Sequence, residues 1–340
     1  MSASGAEAVA RTASAVADLV RAREPGASQV QVSGLEPLRG GNARKAWLLD
    51  VAWRAAGGDH REPGVLLLQE EAGQLESDVG AEFAVLDAVQ RGGVPAPKPL
   101  WLDAEGEILG FPGFVMARLA GGSRLRELLD PSRSAQNRVL ALRLAEAAAA
   151  LHGLPLDCVR ASRLPAIGRE EVAAQQVHYW ESQFLEHRME PHPILVEAFS
   201  WLRAHAPVAE RVCIVHGDLR FGNILYEEDR LCGLLDWEMA HLGDPCEDLA
   251  WAYRPLWAPR PEPSFGVFVA AYERAASERL PTFNLHYYRL FSEVKHAVIS
   301  LTGARSFAAG RTRRLRHADR MTWVAECLLE FQRLRRRGTP

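Results

Sequence analysis

The sequence predicts an α+β protein of two lobes: a small antiparallel sheet carrying one helix, then a larger, mainly helical part. Three observations predict it. Short runs rich in Val, Leu and Trp dominate residues 30–119, one helical stripe interrupts them, and most of the chain after Gly121-Gly122 has helical spacing. At 340 residues the chain exceeds one typical domain, which suits two lobes sharing a cleft. The expected division is an opening helix in 1–25, a sheet lobe in 26–119 and a helical lobe in 120–340.

In order, residues 6–23 place Val9, Val16, Leu19 and Val20 on one helical side, closed by Pro25 and Gly26. Residues 30–38, 45–53 and 65–69 read as three successive antiparallel strands, separated by Gly-Gly-Asn and by a polar loop over 55–64. The stretch ESDVGAEFAVLDAVQRGG returns to helical period through Val79, Phe83, Leu86 and Val89, and Gly92-Gly93 stops it. Strands over 99–103 and 111–119 follow, and the glycine pair at 121–122 marks a hinge. Helices are expected over 138–152, 170–188, 194–205, 248–253, 264–279, 286–302 and 320–336. Set among them, IVHGD and NILYEEDRLCGLLDW read as short strands with a polar turn at 227–230.

Composition excludes several classes. With 48% hydrophobic residues, 24% charged residues and a formal net charge of −3, the chain has ordinary globular composition, and nothing calls for nucleic acid as a partner. Five cysteines without a CxxC pair or zinc spacing read as reduced, packed thiols. Glu7, Arg11 and Asp18 interrupt the Ala-rich start, so no secretory apolar run forms there. No stretch offers the roughly 20 apolar residues of a membrane span. A cytoplasmic location without a membrane partner is expected; the oligomeric state is not indicated.

The chemistry concentrates in residues 215–238, VHGDLRFGNILYEEDRLCGLLDWE. Asp218 and Asn223 stand five apart across a loop, and Asp236 returns after a hairpin. A carboxylate and an amide from opposite sides of a cleft suit Mg²⁺, which takes oxygen ligands and shares its shell with water and phosphates. Asp218 is then left to receive or orient a hydroxyl proton. His216, Asp218, Asn223 and Asp236 follow the H-x-D-x-x-x-x-N then D arrangement of kinases. A hairpin whose Asp and Asn serve only turns is the competing reading.

Through HGDLRFGNIL, GLLDWE and GDPCEDLAW the chain resembles the aminoglycoside phosphotransferase and choline kinase family, over about residues 30–335. Gly217, where protein kinases usually have Arg, is similar to that family in particular. The stretch RLFSEVKHAVISLTGARSFAAGRTRRL further resembles the phosphotransferase domains fused to acyl-CoA dehydrogenases. The resemblance implies a bilobal protein-kinase-like fold, with a nucleotide-binding first lobe and a catalytic, acceptor-binding second lobe. It implies ATP as co-substrate, Mg²⁺ held by Asn223 and Asp236, Asp218 as catalytic base and His216 as a brace for its loop. Asp248 would support the same loop or merely cap a helix.

On the nucleotide side the resemblance points to Asn42 and Ala43 at the first hairpin tip, although an ordinary Gly-Asn turn accounts for them equally. It places the adenine hinge at Met116, Ala117 and Arg118, with core packing as the alternative role of the Met116 side chain. The family carries Lys or Arg at the end of the third strand, paired with a helix carboxylate, here Glu82. In this chain that strand reads GVLLLQEEAG and the position falls on Gln69, or on Glu70 if the register slips. The three lysines, Lys45, Lys98 and Lys295, all lie elsewhere, so Arg44, Lys45 or another Arg would have to take over.

Two activities follow: ATP-dependent phosphotransfer to a small-molecule hydroxyl, or a nucleotide- or ligand-binding module with weak or no turnover. GTP preference is a further alternative. Only twelve positions separate Asp236 from Asp248, little room for a peptide platform, so a small hydroxyl acceptor is expected. A coenzyme A conjugate is among the candidates, and the basic run GRTRRLRH would attract its phosphates unless it is simply a solvated helix face.

Overall fold

Apolar spacing in the first residues produces α1 (Ala3–Arg23), which lays Val16, Leu19 and Val20 on the outer face of a five-stranded antiparallel sheet. The computed structural model describes residues 3–38, 44–69, 78–162, 164–259, 263–312 and 314–338. Strands β1 (Ser28–Pro37), β2 (Arg44–Ala55), β3 (Gly58–Gln69), β4 (Pro99–Asp103) and β5 (Gly113–Ala117) lie in the order β1-β2-β3-β5-β4. Alternation divides their side chains between two faces. Leu49, Val51, Leu66, Trp101 and Val115 meet α1, whereas Leu67, Phe114 and Met116 join the main core on the opposite face. Burying three fully enclosed α1 side chains contributes roughly 5–9 kcal/mol before the entropy of ordering the helix.

The polar stretch expected as a loop over 55–64 is mostly strand. Register runs unbroken from Ala55 opposite Gly58 to Arg44 opposite Gln69, and the chain reverses at Ala56-Gly57. Cross-strand pairs hold this arm where burial is small: the Trp53 and His60 rings stack at 5.1 Å, and Arg54 Nε donates to Asp59 at 2.8 Å.

Between β3 and β4 lies α2 (Val79–Arg91). The Asp78 carboxylate caps it by accepting the Ala81 N–H at 3.0 Å, and Gly92 closes it.

The second lobe begins with α3 (Leu125–Leu128), α4 (Ser134–His152), α5 (Val172–His187) and α6 (Pro193–Ala204). Strands β6 (Cys213–Val215), β7 (Ile224–Glu227), β8 (Arg230–Leu234) and β9 (His241–Gly243) form two small antiparallel pairs, β6 with β9 and β7 with β8. Then come α7 (Pro245–Ala252), α8 (Phe265–Ala276), α9 (Thr282–Ala308), α10 (Leu315–Asp319) and α11 (Met321–Arg337). Helix α7 starts earlier than expected because Asp244, not Asp248, is its cap, accepting the Cys246 N–H at 2.8 Å. Helix α9 is also longer than its expected 286–302, since Pro281 stands at its N-cap, no proline follows before Ala308, and the helix runs on through buried Gly303.

The glycine pair between the lobes is stitched to β7 rather than left as a loose hinge. Gly122 and Tyr226 exchange N–H···O bonds of 3.0 and 3.1 Å. Gly121 has φ +90°, and a Cβ there would meet the Tyr226 backbone. Among the described residues no helix is long and apolar enough to cross a membrane, and all five cysteines are free thiols.

Candidate active site

The loop after β6 is held from beneath by buried charge. The Asp248 carboxylate, inside α7, accepts the N–H of His216 at 2.8 Å and of Gly217 at 3.0 Å, and contacts His152 Nε2 at 3.1 Å. Those partners keep its pKa low although burial opposes it. Gly217 has φ +78°, and a Cβ would collide with the Met239 carbonyl, so the chain can reach Asp218 by this route only with glycine. His216 is fully buried. Its Nδ1 accepts the Asp218 N–H at 3.3 Å, leaving Nε2 to donate to the Leu235 carbonyl at 3.1 Å. Burial lowers its pKa, so a neutral ring ties Asp218 to the residue before Asp236.

Three side chains aim the Asp218 carboxylate. Trp251 Nε1 donates to Oδ1 at 2.6 Å, Asn223 Nδ2 to Oδ2 at 2.7 Å, and Arg220 Nε to both oxygens at 3.1 and 3.2 Å. Asn223 Nδ2 also reaches the Asp218 carbonyl at 3.0 Å, closing the five-residue loop on itself. Asp236 follows β8 with φ +71°, a conformation few residues besides glycine adopt; the Leu235 N–H on Asn223 O at 2.8 Å and buried Trp237 hold it. Its side chain is open to solvent inside the cleft. The enclosing lobes and the Asp218 charge nonetheless raise its pKa, opposed by Arg220 and Arg44.

Across the cleft the first lobe contributes one buried ion cluster. Glu82 of α2 is 5% exposed and pairs with Arg44 Nη1, while Arg44 Nε lies 3.3 Å from Glu238 Oε2. Burial raises the Glu82 pKa against the pull of Arg44. Glu238, two residues past Asp236, is pushed up to about 8 by desolvation and then by the Asp236 charge. Gln69 lies directly opposite Arg44 on the same face of the sheet.

Of the other expected nucleotide residues, Asn42 and Ala43, like Glu70, lie outside the described residues. The Met116 side chain packs against the main core, its alternative role. The sheet uses the hinge N–H groups of Ala117, bonded to Lys98 O at 2.8 Å, and of Arg118, bonded to Pro63 O at 2.8 Å.

A second network lies under the loop. Lys295, buried on α9, donates to Gly217 O at 2.5 Å and to Glu247 Oε1 at 3.0 Å. Its Nζ sits 4.8 and 5.6 Å from the ring centroids of Trp251 and Trp180. His241 Nε2 meets the other Glu247 oxygen at 3.2 Å. Sequence reasoning assigned no role to Arg220, Glu238, Trp251 or Lys295. A signal existed for Lys295: a lone ammonium inside the apolar run FSEVKHAVISL requires a buried partner.

A five-stranded lobe with two helices facing a helical lobe, and an aimed Asp beside an Asn and a second Asp, define a phosphotransferase of protein-kinase-like fold. The chain belongs to the phosphotransferase enzyme family, whose profile matches residues 38–291. It is 29% identical over 189 residues to acyl-CoA dehydrogenase family member 10 of Mus musculus, a match spanning 52% of this chain but only 17% of that protein. Among solved structures it is similar to a Ralstonia eutropha protein described as a candidate aminoglycoside phosphotransferase, with TM-score 0.73 and 19% identity over 95% of this chain and 98% of that one. It is also similar to the GDP complex of aminoglycoside 2'-phosphotransferase-IIIa, with TM-score 0.61 and 16% identity over 92% and 96%.

Proposed function

We propose that the chain is an ATP-dependent small-molecule kinase that transfers the γ-phosphoryl group to a hydroxyl. The observation that carries the reading is the Asp218 carboxylate, aimed by Trp251, Asn223 and Arg220 on a loop anchored from below. A fixed carboxylate of this kind orients the acceptor hydroxyl and takes its proton as the phosphorus–oxygen bond forms. His216, Asp248 and Lys295 act through Asp218 by keeping its loop in place. Arg220 and Arg44 bring positive charge to the cleft from the two lobes, where phosphate charge must be neutralised.

The donor set suits Mg²⁺. Asn223 and Asp236 offer oxygens, and the Asp218, Asp236 and Glu238 carboxylates lie close enough to act on one another, a concentration of negative charge that favours a cation. Among the described residues no three His, Cys, Asp or Glu side chains form a cage. Mg²⁺ usually draws most of its shell from water and phosphates, so two protein side chains suffice to hold it. When bound, Mg²⁺ supplies charge neutralisation at the phosphate oxygens.

The short passage from Asp236 to α7, occupied by β9, supports a small acceptor rather than a peptide. The name of the mouse relative brings coenzyme A conjugates in as one acceptor class. The GDP-bound neighbour brings in GTP as an alternative donor, which nucleotide competition decides. The neutral Gln69 favours a second reading, a binding module without turnover. One experiment separates the two: ADP release from Mg-ATP across a panel of hydroxyl compounds, including sugars, amino alcohols and hydroxyacyl thioesters. Release that depends on one acceptor supports the kinase. Nucleotide binding without release by any acceptor supports the binding module.

A further inference from the structure

Gln69 ends β3 without a charge, yet the first lobe does place a cation in the cleft. Arg44 opens β2 and lies opposite Gln69, so the two side chains leave the sheet on the same face, the one that carries Leu67, Phe114 and Met116 toward the second lobe. The Arg44 side chain is 10% exposed. It is held by Glu82 on α2 and, at 3.3 Å, by Glu238 beyond Asp236.

Two cations act on the Asp236 carboxylate: Arg220 from the catalytic loop and Arg44 from the sheet. Lys45 does not substitute, because the next residue on a strand points to the other face, and it is exposed there. Lys98 is exposed, and Lys295 is buried beneath the catalytic loop.

We propose that Arg44 is the nucleotide-phosphate contact of the first lobe, so that the cation stands on β2 while its β3 neighbour, Gln69, is neutral. The inference rests on the nucleotide-binding reading above. Glu82 and Glu238 fix the planar guanidinium from two sides, so the cation is held at the cleft wall beside Asp236 without a rotamer search. Charge-assisted bonds of this kind set an affinity difference of about ten- to hundredfold.

The test is calorimetric titration of the full chain with Mg-ADP, and with adenosine as the phosphate-free probe. Because removing Arg44 alone would leave Glu82 buried and unpaired, the first variant is Arg44→Gln with Glu82→Gln, which removes both charges. The second is Arg44→Gln with Gln69→Arg, which moves the cation across the strand pair and keeps Glu82 supplied. The first is expected to weaken ADP about ten- to hundredfold and leave adenosine unchanged. The second is expected to return ADP to within about threefold of the wild type, since it restores the same charge-assisted contact.

ADP bound equally by the wild type and the first variant overturns the role of Arg44 and leaves the kinase reading intact. Equal loss of ADP and adenosine overturns it as well, since the effect would not run through phosphate. A second variant as weak as the first refutes interchange of the two positions. Wild type that binds neither ADP nor ATP overturns the nucleotide-binding reading, and this inference with it.

Discussion

Replacing Lys295 with Met removes the buried ammonium that holds the catalytic loop from beneath. Lys295 Nζ bonds Gly217 O at 2.5 Å and Glu247 Oε1 at 3.0 Å, and both charged side chains are about 1% exposed. Met fills most of the same volume, so the cavity contribution is small. What remains is a Glu247 carboxylate whose one side-chain partner among the described residues is His241, and breaking one half of a buried pair costs about 3–5 kcal/mol. Removing the second charge as well, by Lys295→Met with Glu247→Gln, eliminates the unpaired carboxylate. The double variant then loses about 1–2 kcal/mol, chiefly from the unsatisfied Gly217 carbonyl. Urea unfolding of the wild type, both single variants and the double variant yields the coupling energy, expected to be at least about 2 kcal/mol. A Lys295→Met loss below about 1 kcal/mol, the size of an ordinary neutral hydrogen bond, refutes the reasoning. So does strict additivity of the two substitutions.

Three further outcomes follow from the same geometry. Trp251→Phe deletes the donor 2.6 Å from Asp218 Oδ1; kcat/KM should fall about ten- to hundredfold while the ADP dissociation constant holds, which steady-state kinetics and calorimetry check. Gly217→Ala forces a side chain into the Met239 carbonyl at φ +78°, so denaturation should show a loss of at least about 2 kcal/mol, with activity gone. His241 carries a pKa raised by the Glu247 charge against its own burial. A raised folded pKa contributes stability that is complete below the unfolded value of about 6.5 and is lost as pH climbs through the folded value. Unfolding free energies from about pH 6 to 9 should therefore fall less steeply in His241→Gln than in the wild type, and identical slopes would sink this assignment.

Local spacing made half of this site legible. His216, Asp218, Asn223 and Asp236 lie within 21 consecutive residues, so the sequence alone brings their loop and strand ends together. Glu82 was visible as a carboxylate beside an apolar stripe. The other half depends on pairing across distance. Arg44 gains its position from an unbroken β2–β3 register, whereas the sequence pattern begins that strand at 45 and reads 55–64, the first part of its partner, as a loop. Lys295 reaches a carbonyl 78 residues away, and Trp251 an aspartate 33 residues away, through the packing of α9 and α7. Strand β9, three residues long, carries no periodicity to read, and only its pairing with β6 defines it.

Phosphorus NMR of Mg-ATP with the hydroxyl panel, in the wild type and in Asp218→Asn, bears most directly on the proposed reaction. The expected result is a new phosphate monoester resonance with at least one acceptor, formed about a hundredfold or more slowly by Asp218→Asn, as loss of a positioned base requires. Ester formed at the same rate by Asp218→Asn, or no ester with any acceptor while nucleotide is bound, would contradict phosphotransfer through Asp218.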